Sequence, residues 1–196
     1  MVAGILHKLG VTMVDAMAPA DRWNAAGNYQ DLEFSRLLML AMPNWKSPRE
    51  WSLAPYREEM QAYLRGKQAA HKHWGLKHPR MCYMLDEIVA MIGKPVKLIV
   101  TSRDIHASIR SIMRCFDSLD CETAERLERD CDTALREQKA FRTLPKLQVR
   151  YEDVVSCASP RIFVRRIAEF VGCGCEYSRE AVAAIRPELN HEGRAR

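Results

Sequence analysis

Gly93-Lys94-Pro95-Val96-Lys97-Leu98-Ile99-Val100-Thr101-Ser102-Arg103-Asp104 decides how this 196-residue chain is read. Val96 to Val100 follows a Gly-Lys-Pro breaker and is rich in β-branched residues, which predicts a strand. The strand leads directly to Arg103, and Asp104 just beyond it can cap a following helix. A strand passing through a short polar turn into a helix is the unit from which parallel sheets are built.

Downstream, Asp120 to Phe141 reads as one long polar helix with Ala124, Leu127, Cys131, Ala134 and Leu135 on one stripe. Leu147 to Arg150 is a short strand followed by Tyr151-Glu152-Asp153. Ser159-Pro160 opens a helix through Ile162, Phe163, Ile167 and Phe170 that Gly172 stops, and a last short helix follows Ser178. Upstream, Trp74 to Lys77 reads as a short strand ending before Pro79, and Leu85, Ile88, Val89 and Ile92 mark a helix.

Nearer the start, Val2, Ile5, Leu6 and Leu9 keep the spacing of one helix face until Gly10. Asp15 to Gly27 reads as a loop, and Asp31 can cap a helix through Leu37, Leu38 and Ala41. Ser47-Pro48-Arg49-Glu50 has the form of a capping box, and Pro55 predicts a kink or restart before Met60, Tyr63 and Leu64. Helices alternating with three strands predict the α/β class, a parallel sheet flanked by helices in a single domain over residues 1–196.

Composition narrows the function. With 47% hydrophobic and 28% charged residues and only nine Gly and nine Pro, collagen-like, linker-like and wholly disordered readings fail. A net charge of +5 suits an anionic ligand without by itself indicating nucleic acid, and no nucleic-acid partner is expected. The seven Cys form no C-x-x-C unit and have no His at zinc-site spacing, so no metal is expected. Their odd number and the lack of a secretory signal suit a reducing compartment, each Cys then being a small buried hydrophobe. His7, Lys8 and Asp15 interrupt the longest apolar run, so a membrane partner is not expected and a cytoplasmic location is.

Ligands of open α/β sheets bind beyond the carboxyl ends of the strands. There the chain places Lys77-His78-Pro79-Arg80, Ser102-Arg103-Asp104 and Tyr151-Glu152-Asp153. A guanidinium such as that of Arg103 can hold a phosphate or sulfate through two parallel hydrogen bonds. Ser108, Ser111 and Arg114 on the next helix can add donors, and the helix N-terminus offers unpaired amides. Arg103 can equally pair with a carboxylate such as Asp153 and tie strand to strand; the residues alone leave both readings open.

Several motifs together resemble PAPS-dependent sulfotransferases of the bacterial and phage type. Ser102-Arg103 followed by Ser111 looks like that family's 3′-phosphate-binding element, with Ile105 where a Pro is common. Gly10-Val11-Thr12-Met13, Pro19-Ala20-Asp21, Trp23-Asn24 and Gly27-Asn28-Tyr29-Gln30-Asp31 resemble the segment after the family's first helix. Trp74-Gly75-Leu76-Lys77-His78-Pro79-Arg80 is similar to its W-G-x-K-D-P-R, and Tyr151-Glu152-Asp153 to its Y-E-D. The resemblance covers nearly the whole chain and rests on the order and spacing of motifs that are each weak alone.

The resemblance implies a P-loop NTPase-like sulfotransferase fold that moves a sulfuryl group from PAPS to a hydroxyl or amine of a small molecule or glycan. It implies that Arg103, Ser111, Arg80 and Tyr151 bind the nucleotide and that Lys77 stabilises the leaving phosphate. Gln30 stands where members of the family commonly have Glu, so the general base falls to Asp31, Glu33 or His78. Members carry a strand and a G-T-S-like loop just before V-A-G-I-L, whereas Met1 directly precedes Val2-Ala3-Gly4-Ile5-Leu6 here. The fold implied is therefore one lacking its first strand and the loop that wraps the 5′-phosphosulfate. Two alternatives stand beside it: a truncated or degenerate nucleotide-binding remnant without activity, and a P-loop nucleotide or small-molecule kinase. No G-x-x-x-x-G-K-[ST] string occurs in the chain to favour the kinase. Acceptor and oligomeric state are not legible.

Overall fold

The computed structural model describes residues 1–17, 28–42, 51–116, 119–156, 160–174 and 178–185. The expected capping box at 47–50, most of the loop to Gly27, Ser159, Cys157 and Cys175 lie outside them, as do the Pro19-Ala20-Asp21 and Trp23-Asn24 motifs. The protein is mixed α/β, with a small two-stranded parallel sheet and helices around it. Its chain forms two compact units, one of residues 1–11, 97–128 and 145–196, the other of residues 12–96 and 129–144.

The first unit holds the sheet. β1 (Leu98–Ser102) pairs in parallel with β2 (Lys146–Arg150), and the register runs from Leu98 opposite Lys146 to Ser102 opposite Arg150. β1 begins two residues later than the β-branched run suggests, where the Leu98 N–H reaches the Pro145 carbonyl at 2.9 Å. Around the sheet stand α1 (Val2–Lys8), α5 (Ile105–Cys115), α8 (Tyr151–Val155), α9 (Pro160–Val171) and α10 (Ser178–Ala183). α1 packs on α9 and α10, burying Val2, Ile5 and Leu6 in a core shared with Val164, Ile167 and Ala181. In the sheet Val149 is buried, while Leu98, Ile99 and Val100 are only half-buried. α9 ends where its sequence says it must, at Gly172, whose φ of 80° is costly for any residue with a Cβ.

The second unit is helical. α2 (Leu32–Ala41), α3 (Arg57–Ala70) and α4 (Leu85–Ile92) pack in succession, α4 also against α7 (Lys139–Thr143). Pro55 sits in a 3₁₀ turn, Ala54–Tyr56, from which α3 restarts as expected. Phe34, Leu37, Leu38, Leu53, Met60 and Ile88 form the centre of the core. α2 and α3 each contribute one apolar stripe to it, the 3.6-residue period of their sequences.

Two sequence expectations need correction. Trp74 to Lys77 does not form a strand: the segment makes one parallel bridge, Thr12 to Trp74, carried by Thr12 N–H to the His73 carbonyl and Gly75 N–H to the Thr12 carbonyl. Gly75 and the approaching Pro79 leave little backbone suited to extending it. The polar helix expected from Asp120 to Phe141 is broken into α6 (Cys121–Glu137) and α7, with Gln138 extended between them. The break has a tertiary cause. Asp86 accepts from the Lys139 and Ala140 amides at 2.9 and 2.6 Å, while its own N–H donates to Gln138 Oε1 at 3.1 Å. A carboxylate from α4 thus caps α7 from outside, which local sequence cannot announce.

Candidate functional site

The candidate residues fall into the two units, and each group has its own geometry. In the first unit, Ser102 ends β1 and Arg103 follows it, while the neighbouring strand ends at Arg150 and passes into α8 at Tyr151. Parallel pairing puts both ends on one edge, as strand-end chemistry requires. The Arg103 guanidinium lies 4.6 Å from the centre of the Tyr151 ring, close enough for a cation–π contact that holds the guanidinium in place.

The edge is cross-tied as well. Asp104 N–H donates to Glu152 Oε1 at 2.8 Å, and Arg150 Nε pairs with Glu152 Oε2 at 3.1 Å. Burial pushes the Glu152 carboxyl up, but the amide bonds and the Arg150 charge together bring it below its ordinary value. Asp104 caps α5 as expected, its carboxylate accepting from Ala107 N–H at 3.0 Å. Of the amides at this N-terminus, that of Ala107 is taken by the cap and that of the cap residue Asp104 by Glu152. Glu152 thus ties the two strand ends, through the Asp104 amide on one side and Arg150 on the other.

Ser108 and Ser111 follow Asp104 at helical spacing along α5, both half-buried. One face of this helix thus carries two hydroxyls in line with its capped end.

In the second unit, Asp31 caps α2 and is shut off from water. Its Oδ1 accepts from the Glu33 and Phe34 amides at 3.1 and 3.4 Å, and its Oδ2 from the Asp15 amide at 2.9 Å. Lys67 Nζ lies 3.2 Å from the same Oδ2 and 3.0 Å from Asp15 Oδ2, and His71 Nε2 lies 2.7 Å from Asp15 Oδ1. Burial opposes the charge on Asp31, yet the amide bonds and Lys67 outweigh it and hold the carboxyl low. Tyr63 is packed beside this carboxylate, and burial, then the Asp31 charge, pushes its phenol up. A carboxylate with four donors around it and a lowered proton affinity is a poor proton acceptor. Asp31 is built as a hub that ties the 15–17 segment to α2 and α3. Glu33, the other nearby carboxylate, pairs on the surface with Arg36 at 2.7 Å.

Just before the hub, Tyr29 takes a left-handed backbone with φ of 52°. Asn28 clasps Gln30, its Oδ1 accepting from the Gln30 amide at 2.9 Å and its Nδ2 reaching Gln30 Oε1 at 3.3 Å. The Gln30 side chain is therefore used locally.

Lys77, His78 and Arg80 occupy an irregular half-buried segment of the same unit. Burial lowers the Lys77 ammonium, which brings a neutral amine within easier reach. His78 is pushed down to about 4, by burial first and then by the Lys77 and Arg80 charges, so it is neutral at pH 7. Its Nδ1 accepts from the Arg80 amide at 3.3 Å, which places the ring proton on Nε2 and makes that nitrogen a donor rather than a base. The Arg80 guanidinium lies 5.9 Å from the centre of the Trp51 ring.

Sequence reasoning missed Lys67 and His71. The signal was present: Met60, Leu64 and Lys67 share one face of α3, and a lysine on an apolar stripe must find a buried partner. The cysteines also differ from expectation. Of those described, Cys115 and Cys121 are exposed and Cys82, Cys131 and Cys173 half-buried, all as free thiols. Polar helix faces and turns, rather than core positions, carry them. Among the described residues no cluster of three or more His, Cys, Asp or Glu is placed to hold a metal, and no helix is long and apolar enough to cross a membrane. No family model, curated protein or solved structure matches the chain.

Proposed function

We propose that the protein is a PAPS-dependent sulfotransferase-like domain in which Arg103 and Ser111 recognise the 3′-phosphate of the nucleotide. The observation that carries this reading is the placement of Arg103 at the carboxyl end of β1, stacked on Tyr151 at the end of the parallel neighbour β2. An oriented guanidinium at a strand end, followed by a serine on the next helix, suits a dianionic phosphate. Resemblance to the family's motifs supplies the nucleotide, the P-loop NTPase-like fold and the transfer chemistry. The resemblance assigns to Lys77 the charge that grows on the departing phosphate and to Arg80 a part in binding the nucleotide. The acceptor's proton is left to a group other than Asp31.

Glu152 favours the second reading, a nucleotide-binding remnant without turnover, because its carboxylate stands at the start of α5 where an incoming phosphate would meet it. Calorimetry with PAP and AMP tests binding. PAP is expected to bind more tightly, and Arg103→Ala to remove most of that preference, about 1.5–3 kcal/mol for a hydrogen bond to a charged group. Equal affinities for the two nucleotides would overturn the 3′-phosphate assignment. PAP preference without sulfate transfer from labelled PAPS to any hydroxyl or amine acceptor tried would select the remnant.

A further inference from the structure

The two strand ends meet in consecutive rungs. Arg103 lies over the Tyr151 ring at 4.6 Å, and the next residue on each side repeats the crossing, Asp104 N–H donating to Glu152 Oε1 at 2.8 Å. The parallel register, which sets Ser102 opposite Arg150, brings both rungs to the carboxyl edge of the sheet. Glu152 therefore puts a negative charge one rung away from the guanidinium that the nucleotide reading assigns to a phosphate.

Its attachment is light. The second partner of the carboxylate is Arg150, whose Nε lies 3.1 Å from Oε2. The Arg150 side chain is 58% exposed and that of Glu152 33%, so water reaches both and packing encloses neither. The two oxygens serve the two partners separately, Oε1 the amide and Oε2 the guanidinium. Rotation about the Glu152 side-chain bonds can therefore give up the amide and keep the ion pair. Asp104 is not equally movable, because its carboxylate caps α5 through Ala107 N–H at 3.0 Å.

We propose that Glu152 is a built-in competitor at the phosphate site: the carboxylate and the ligand take the Asp104 amide in turn, and Glu152 falls back on Arg150 alone when a phosphate monoester dianion binds Arg103. The proposal rests on the 3′-phosphate reading and adds to it a determinant of which anions the site accepts. A ligand with a single carboxylate offers the amide no more than Glu152 already does, and meets its repulsion besides. A phosphate monoester carries about two charges at neutral pH and three acceptor oxygens, enough to engage the guanidinium and the amide together. Glu152 thus sets a threshold of charge that a dianion passes and a monoanion does not.

The test is calorimetry of PAP and AMP with the full chain and with Glu152→Gln, whose side-chain oxygen can still accept from Asp104 N–H although the negative charge is gone. PAP is expected to bind the variant about three- to tenfold more tightly, the effect of removing one like charge at a partly exposed site, and AMP to bind both proteins equally. PAP affinity unchanged or weakened by Glu152→Gln, with PAP still preferred to AMP, overturns the competition and spares the 3′-phosphate site. Equal affinities for PAP and AMP in both proteins overturn the site and the competition together. Both nucleotides tightened by the same factor would mark a general charge effect and overturn the competition alone. Carboxyl 13C NMR of Glu152 in the unaltered chain gives an answer that does not depend on the variant's folding: saturation with PAP is expected to move that resonance, and a resonance that stays in place overturns the exchange of partners.

Discussion

Lys67 Nζ lies 3.2 Å from Asp31 Oδ2, with the two side chains only 1% and 3% exposed. Removing one member of such a pair strands the other charge in a medium that solvates it poorly, at about 3–5 kcal/mol. Lys67→Met is therefore expected to destabilise the protein on that scale. Asp31→Asn with Lys67→Met is expected to cost less than the two single changes added together, because neither charge is then left alone. Denaturant unfolding of the four proteins measures the difference, and strict additivity would mean that the pair is not coupled.

Acid should act in two separable windows. His78 has its folded value near 4 against an ordinary 6.5, so the unfolded chain takes up its proton first as pH falls. Stability attributable to His78 is thus full above about pH 6.5 and declines as pH falls toward about 4, by about 2 kcal/mol once the ring's partial exposure is allowed for. Asp15 and Asp31 are lowered instead: burial opposes, but Lys67 together with His71 for Asp15, and with backbone amides for Asp31, prevails. Their contribution is complete above the ordinary carboxylate range and is lost only as pH falls through their lower folded values. His78→Asn should flatten the first window and leave the second, as unfolding free energy measured from pH 7 to pH 3 will show.

The external cap on α7 offers a cleaner local test. Asp86 satisfies two amides of α7 while Gln138 answers its own N–H. Asp86→Ala is expected to cost about 1–2 kcal/mol, the scale of a lost N-cap, and Asp86→Asn less. Amide exchange at Lys139 and Ala140 should accelerate in the alanine variant beyond the global change; protection unchanged at those two positions would show that the cap is not what starts α7.

How much of this was legible depended on how local the cause is. Asp31, Asp104, Gly10, Gly93 and Gly172 act on their own helix ends, and each ends or begins an element where its sequence places it. Val96 to Val100 announced β1 to within two residues because β-branched content and a preceding Pro are local too. The break at Gln138 was not legible, since Asp86 lies more than fifty residues away and no periodicity points to it. Trp74 to Lys77 misled because a short apolar run without a committed partner yields only a bridge. Of the site, the strand-end position of Arg103 was legible and its stacking on Tyr151 was not, because the pairing register that joins them is a property of two distant strands.

That stacking gives the last prediction, which rests on the proposed 3′-phosphate site. A guanidinium lying 4.6 Å from the Tyr151 ring centre is restrained before a ligand arrives, so less freedom is lost when a phosphate binds. Tyr151→Phe keeps the aromatic face and is expected to leave PAP affinity close to that of the unaltered protein. Tyr151→Leu keeps bulk but removes the ring and the cation–π contact, worth about 0.5–1 kcal/mol at a partly exposed site, and so should weaken PAP by about two- to fivefold. AMP, which has no 3′-phosphate to present to Arg103, should be affected by neither change. Arg103→Lys separates charge from shape: it retains the cation but loses the planar fork, and is expected to fall between the unaltered protein and Arg103→Ala. Titrations of PAP and AMP against these four variants decide the matter, and a leucine variant that prefers PAP as strongly as the unaltered protein would show that Tyr151 does not prepare Arg103 for a phosphate.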